Sequence, residues 1–300
     1  MNDDLYGALS ERLKGAILRD EPMARHTSLK VGGPADFFVV PADRGDLDTL
    51  LALLAETATP HFVVGGGYNL LVRDGGVRGV VVSLERFREL AHLPGGKVSA
   101  GAGVTNQMLV GYLRERGLGG LEFLCGIPGT IGGALAMNAG AQGGAILDHV
   151  EELTTVRDGA FRQVRRDELE YGYRHVRLAP GEIIAGATFR LEPDDPDKIG
   201  ERIAGYLAHR AESQKVGYPN AGSFFKNPEG GAAWRLIDGA GLRGTRIGGA
   251  QVSEVHANFL INRGDATAAD FLALAALIKD EVRRNTGISL EEEVRIIGEG

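Results

Sequence analysis

The sequence predicts an α+β protein of more than one unit, on three observations. Short apolar runs rich in β-branched residues alternate with stretches of helical periodicity. Glycine fills 45 of 300 positions, about twice the usual share, and gathers in two clusters. Neither G-x-G-x-x-G nor G-x-x-x-x-G-K-[ST] opens a helix, so this is not a fingerprinted parallel nucleotide fold. A length of 300 residues suits two or three units of ordinary size, and 43% hydrophobic with 24% charged residues is a globular composition.

Residues 1–20 read as an amphipathic lead-in helix with Leu5, Leu9, Leu13 and Ala16 on one face, ended by Pro22. A Gly32-Gly33-Pro34 turn then leads into a strand over 35–40. Leu47, Leu50, Leu51 and Leu54 stand at i, i+3, i+4 and i+7, which predicts a helix over 46–57. His61 to Val64 and Val80 to Val82 read as buried strands, closing a compact subdomain over residues 21–84. A second piece, 85–194, starts with a strand at 97–100. Its helix is capped by Thr105, carries Met108, Leu109, Tyr112 and Leu113, and stops at Gly117. Asp158-Gly159 between 153–157 and 160–164 is a strong hairpin signal, and a strand near 183–191 ends the piece. Asp195-Pro196 opens the third piece, 195–300, with a helix bearing Ile199, Ile203, Tyr206 and Leu207. A short helix around Ala233–Ala240, a strand at Phe259–Ile261 and a helix opened by Thr267 and Asp270 follow. That helix carries Phe271, Leu274, Ala275, Ile278 and Val282; Leu290 to Ile297 is the last strand.

The most informative stretch is Leu121 to Leu147. It holds seven glycines between Gly126 and Gly144, and Glu122 is its only formal charge. Glycine lets a backbone take φ > 0, or lets another group approach with no Cβ in the way. So much glycine, with Pro128, Asn138 and Gln142, argues against a membrane-spanning helix. Ile127, Ile131, Leu135 and Met137 argue against a mobile linker. Two readings remain: a segment that wraps a flat ligand with polar edges, or a closely packed core segment. The second cluster, Gly65-Gly66-Gly67 followed by Tyr68, Asn69 and Leu70, leaves a strand and can form a nest for phosphate oxygens. Together the clusters suggest a dinucleotide held by two separate glycine segments.

A net charge of −7 argues against a general nucleic-acid surface but allows a small basic pocket for a diphosphate. The single cysteine, Cys125, permits no internal disulfide and has no partner pattern for metal or catalysis; it is expected to be a small buried residue. The seven histidines show no H-x-x-x-H or H-E-x-x-H spacing, so no metal site is expected. The acidic start M-N-D-D-L-Y lacks an apolar core, so no signal peptide is expected and a cytoplasmic location is.

Polar candidates lie in three places. In the last strand, alternation puts Glu291, Glu293 and Arg295 on one face; taken alone this reads as a surface Glu–Arg pair. Tyr173-Arg174 reads, alone, as a cation lying over a ring. In A-G-S-F-F-K-N-P, Ser223 has no nucleophile-elbow context, while Lys226 and Asn227 suit a phosphate; Arg243, His256 and Asn258 are weaker candidates for the same ligand.

Four stretches carry a resemblance. V-V-G-G-G-Y-N-L-L-V, G-L-E-F-L-C-G-I-P-G-T-I-G-G-A-L-A-M-N-A-G-A, A-G-S-F-F-K-N-P and L-E-E-E-V-R-I-I-G, in that order, resemble the UDP-N-acetylenolpyruvoylglucosamine reductase family over about residues 27–297. The resemblance implies an FAD enzyme of peptidoglycan precursor synthesis. Its implied fold is a flavin domain of two subdomains, of the PCMH/vanillyl-alcohol-oxidase type, followed by an α+β substrate-binding domain. FAD, held non-covalently, is implied to lie against Gly65, Gly66, Gly67, Tyr68, Asn69 and Leu70, and against Gly126, Pro128, Gly129, Thr130, Gly132, Gly133, Asn138, Ala139 and Gly140. NADPH is the implied reductant and UDP-N-acetylglucosamine enolpyruvate the substrate. Arg174 and Glu293 are implied catalytic residues and Ser223 the proton donor; Tyr173, Lys226, Asn227, Arg243, His256 and Asn258 are implied substrate contacts. The sequence departs from the family pattern at Tyr68 (Ser is usual), Cys125 (Ala), Val176 (Ser) and Arg243 (Lys). The short step from Arg174 to the strand near Ile183 leaves little room for an insertion, as in the shorter subclass. A related flavin oxidase or dehydrogenase, or a non-catalytic flavin binder, are the alternatives.

Overall fold

The computed structural model describes residues 2–157, 159–214 and 216–300. The chain forms two compact units, each drawn from three separate stretches. The larger takes Met1–Arg19, Phe37–Gly66 and Gly79–Arg210; the smaller takes Asp20–Asp36, Gly67–Arg78 and Ala211–Gly300. The sequence reading cuts the chain into consecutive pieces instead, because local periodicity carries no information about which distant segments pack together.

In the larger unit the first helix is Asn2–Arg12, and the chain continues as the strand Ala16–Pro22. The expected helix over 1–20 therefore ends early. Its breaker is Gly15, where an added Cβ would stand 2.1 Å from the Val40 carbonyl oxygen. The buried Asp46 carboxylate fixes this turn by accepting the N–H groups of Lys14, Gly15 and Ala42 at 2.8, 2.9 and 2.8 Å. Asp46 belongs to the helix Arg44–Glu56, whose Asp43 cap accepts the Asp46 N–H. Leu47, Leu50, Leu51 and Leu54 are buried together, as their spacing predicts.

A four-stranded sheet runs in the order Ala16–Pro22, Pro34–Val40, Val77–Ser83, His61–Val64. His61–Val64 is parallel to Val77–Ser83, from His61 opposite Val80 to Val64 opposite Ser83. A second, antiparallel sheet has the order Ala160–Arg165, Val150–Arg157, Ile183–Arg190, Lys97–Gly101, Leu90–Leu93. Arg157 pairs with Ala160 across the expected hairpin; Asp158 itself lies outside the described residues. The helix Asn106–Arg114 starts on Thr105, which accepts the Met108 N–H at 3.1 Å. Leu109 and Leu113 enter the core, but Met108 is 44% exposed.

The glycine-rich stretch packs closely, as one of its two readings expects. It coils as a 3-10 turn Glu122–Gly126, a short helix Ile131–Ala136 and a 3-10 turn Ile146–His149. Leu124, Ile131, Leu135, Ile146 and Leu147 are fully buried in the core of the unit. Cys125 is buried too, and burial pushes its thiol up, as suits an inert packing residue. Glu122, the stretch's one charge, is buried against Arg202 and accepts the Gly120 N–H at 2.9 Å.

The smaller unit packs Leu29, Val31, Leu71, Phe224, Phe225 and Phe271 around one core. Its antiparallel sheet has the order Asn220–Ser223, Phe259–Asn262, Ala250–Val252, Arg246–Ile247. The helix Ala268–Thr286 starts on the reciprocal Thr267–Asp270 cap and ends at Gly287 with φ +74°. The expected last strand divides in two. Around residues 291–293 it bonds to Phe224 and Lys226, and as Arg295–Ile297 it runs parallel to Leu70–Val72. Among the described residues no helix is long and apolar enough to cross a membrane.

Candidate active site

In the larger unit the two glycine segments meet. The strand His61–Val64 delivers Gly65 to the start of the helix Ile131–Ala136. A Cβ on Gly65 would lie 2.8 Å from Thr130 Oγ1 and 3.5 Å from Gly133 Cα. Gly65 and Gly66 are exposed, while Gly126, Pro128, Gly129, Thr130 and Gly133 are half-buried, so bare backbone faces outward. Gly129 holds φ +125°, which only glycine takes without strain. Gly132 and Gly140 are also closely packed: added Cβ atoms would meet Ala102 Cβ at 2.8 Å and the Gly144 carbonyl oxygen at 2.4 Å. Ala139 is buried. Among the described residues, no three histidine, cysteine, aspartate or glutamate side chains gather as metal ligands.

Arg174 lies on a β-hairpin of the same unit. Glu170–Gly172 pairs with His175–Arg177, with Gly172 opposite His175, so Tyr173 and Arg174 are the two-residue loop. Arg174 takes φ +61°, a conformation that costs a non-glycine residue on the order of 1 kcal/mol. Its guanidinium stands 5.3 Å from the centre of the Tyr173 ring. Val176, where the family pattern has serine, packs against the apolar core, and His175 packs on Gly172. The hairpin closes tightly, and the strand Ile183–Arg190 follows at once, with no insertion. Asn138 at φ +43° is buried; its Nδ2 donates to the Gly172 carbonyl at 3.0 Å and its Oδ1 accepts the Leu147 N–H at 3.3 Å.

In the smaller unit Gly67 turns the chain at φ +67°, so tightly that a Cβ would stand 1.9 Å from the His26 carbonyl oxygen. Tyr68 is exposed and Leu70 buried. Asn69 donates from Nδ2 to the Glu293 carbonyl at 2.8 Å and accepts the Arg295 N–H on its own carbonyl at 3.1 Å. Ser223 ends the strand Asn220–Ser223, opposite Phe259. The next carbonyl, of Phe224, accepts the Glu293 N–H at 2.8 Å, and the Glu291 carbonyl accepts the Lys226 N–H at 2.8 Å. Ser223 and Glu293 thus come from adjacent extended segments of one unit; Arg174 belongs to the other.

The weaker candidates have protein partners. Asn258, 2% exposed, donates to the Phe225 carbonyl at 2.8 Å and accepts the Phe225 N–H at 3.0 Å. Arg243 forks onto the Asp238 carboxylate and donates to the Glu254 carbonyl at 2.7 Å; its hydrogen bonds, and then its charge, hold the Asp238 carboxyl below its usual range. Asn227 accepts the Ala233 N–H at 3.0 Å, and Lys226 Nζ lies 3.3 Å from the exposed Glu291 carboxylate. The His256 ring stands 4.4 Å from that of Phe259. Burial first, then the Arg243 charge, pushes its pKa down. Its Nδ1 is buried without a hydrogen bond among the described residues. The sequence reading did not see that Asn69, Asn138 and Asn258 fix backbone beside the candidate residues. The available signal was a lone amide side chain in an otherwise apolar run.

Known proteins share this arrangement. A family described as "FAD binding domain" matches residues 35–161, which include both glycine segments. One described as "UDP-N-acetylenolpyruvoylglucosamine reductase, C-terminal domain" matches residues 214–297, which include Ser223 and Glu293. The chain is 75% identical over 299 residues to UDP-N-acetylenolpyruvoylglucosamine reductase of Geobacter metallireducens, covering 100% of both. The chain belongs to the UDP-N-acetylenolpyruvoylglucosamine reductase family. The reductase of Geobacter sulfurreducens is 66% identical over the same span, again 100% of both. The crystal structure of UDP-N-acetylenolpyruvylglucosamine reductase from Thermus caldophilus superimposes with a TM-score of 0.81 at 35% identity, over 95% of this chain and 99% of that one. Arg174 falls between the two family matches, within the span that the whole-chain relatives cover.

Proposed function

We propose that the chain is an FAD-containing oxidoreductase that uses NADPH to reduce the enolpyruvyl ether of UDP-N-acetylglucosamine to UDP-N-acetylmuramate, in the cytoplasm. The observation that carries this reading is end-to-end similarity to the reductases, with Ser223 and Glu293 on adjacent segments inside the C-terminal match. Residues 21–84 and 85–194 would form the two flavin subdomains and 195–300 the substrate domain, with residues 20–36 and 67–78 packing in one unit with residues 211–300. Accessible bare backbone at Gly65, Gly66 and Gly133, beside Thr130, suits the close approach of FAD, since glycine puts no Cβ in the way. Bound FAD supplies the hydride, received from NADPH.

The remaining work falls to side chains. When the vinyl group accepts hydride at C3, negative charge builds at C2 and spreads into the neighbouring carboxylate. Arg174 and Glu293 stabilise that charge, one as a cation and the other as an acid. Ser223 delivers the proton that C2 needs. Lys226 and Asn227 orient the diphosphate, with Tyr173 beside Arg174 as a further contact. Asn258 and Arg243 also hold the protein itself, through Phe225 and Asp238.

The test is direct. Purified protein is expected to be yellow, to bleach with NADPH in the absence of oxygen, and to recolour on adding the enolpyruvyl substrate. Acid precipitation is expected to release the chromophore, because the one thiol is buried. A protein that bleaches but is not recoloured by this substrate belongs with a related flavin oxidoreductase. A colourless protein that binds no FAD would overturn the reading.

A further inference from the structure

We propose that Asn138 is the positioning residue for Arg174: its amide ties the hairpin that carries the arginine to the glycine segment that cradles the flavin. This rests on the reading that Arg174 faces the reacting substrate. Four observations carry it. The hairpin Glu170–Gly172 with His175–Arg177 is a two-stranded sheet of its own, and such a ribbon is marginal without outside support. Arg174 sits in it at φ +61°, a strained conformation that persists only where the surroundings over-determine it. The Asn138 amide reaches the hairpin 34 residues away, donating to the Gly172 carbonyl directly before the Tyr173-Arg174 loop. And Asn138 is only 7% exposed, with its other amide atom held by the Leu147 N–H, so the amide is locked in this orientation.

The residue type follows from the geometry. The position needs φ +43°, which asparagine tolerates better than longer side chains. It needs a donor toward Gly172 and an acceptor toward Leu147 on one short side chain. An aspartate in its place would keep the acceptor and turn an oxygen toward the Gly172 carbonyl. Glycine would accept the backbone conformation and lose both bonds. The segment around Asn138 also supplies Thr130 and Gly133 to the flavin cradle, so one element would fix the cofactor and the arginine at once.

The experiment compares Asn138→Asp and Asn138→Gly with the parent, each alone and combined with Arg174→Ala. In the flavin-free proteins, amide hydrogen exchange in residues 170–177 is expected to rise while the strand Val150–Arg157 stays protected. In the FAD-loaded proteins, recolouring by the enolpyruvyl substrate, relative to each protein's own bleaching by NADPH, is expected to slow by about 10²-fold, the cost of a misplaced catalytic group. In the Arg174→Ala background neither change should slow recolouring further, because both act through the same side chain. An equal slowing in both backgrounds overturns the proposal, and so does unchanged exchange in 170–177. Failure of both variants to fold would also count against it, since a tether on one hairpin cannot hold up a whole core. If the parent itself is not recoloured by the substrate, the functional reading fails instead, and the exchange result still judges the tether.

Discussion

Ser223 is half-buried and sits one residue before the carbonyl that holds the Glu293 N–H. Two half-reactions share the flavin but not the proton, so Ser223→Ala is expected to bleach with NADPH at nearly the parent rate. Its recolouring by substrate should slow by about 10²–10⁴-fold, the usual contribution of a positioned acid. Stopped-flow absorbance separates the two, and equal rates in the second step would make Ser223 a packing residue. The glycine cluster 65–67 divides in the same spirit. Gly67→Ala is expected to lower stability, because φ +67° and the His26 carbonyl leave no room for a Cβ. Gly66, exposed and outside the positive-φ set, should fold normally as Gly66→Val and lose FAD. The ratio of bound flavin to protein, set beside a thermal melt, distinguishes these outcomes. Sequence alone shows that glycine is needed at 65–67 but not why at each position, because a tight turn and a close approach look alike in letters. The amides are harder still. Asn69, Asn138 and Asn258 read as ligand contacts, and an amide bonds a backbone or a ligand equally well.

Elements were legible where a period is clear. Leu47 to Leu54, by spacing alone, and Phe271 to Val282 behind Thr267, form helices where the reading puts them. The first helix was overrun because the step from helix to strand at Gly15 is imposed by Asp46, 31 positions on. The last strand was read as one because alternation continues through it, although its partner changes after Glu293. The segment Ser223 to Asn227 depends on Asn258, which satisfies both backbone groups of Phe225. Asn258→Ala would leave a buried N–H and a buried C=O without partners. The expected cost is about 2 kcal/mol or more in urea unfolding, on the order of 1 kcal/mol or more for each group. A ligand-contact role would instead raise KM and leave the unfolding midpoint in place.

For the molecule as a whole, three histidines set an acid limit. His61 and His149 in the larger unit and His256 in the smaller are each pushed below the ordinary value of 6.5, chiefly by burial. Below about pH 6.5 the unfolded chain therefore binds protons that the folded chain refuses, so stability is full above that pH and lost as pH falls through the lowered values. Thermal midpoints are expected to drop as pH falls below about 6.5, and His149→Gln should flatten part of that slope. The carboxylates held down by cations, such as Asp238 beside Arg243, add their loss only at lower pH. Family and fold class were readable because four motifs in order suffice for them. The two interleaved units were not, since nothing local in Gly67–Arg78 says that it packs with residues beyond 210. That interleaving bears on how the protein is made. Asn69 and Glu293 touch across 224 positions, and Leu70 pairs with Arg295. On the ribosome, the apolar strand Leu70–Val72 must wait without its parallel partner until Arg295–Ile297 has emerged. The larger unit, complete at Arg210, can form before then. Synthesis order thus sets which unit is completed last: the one expected to hold the substrate.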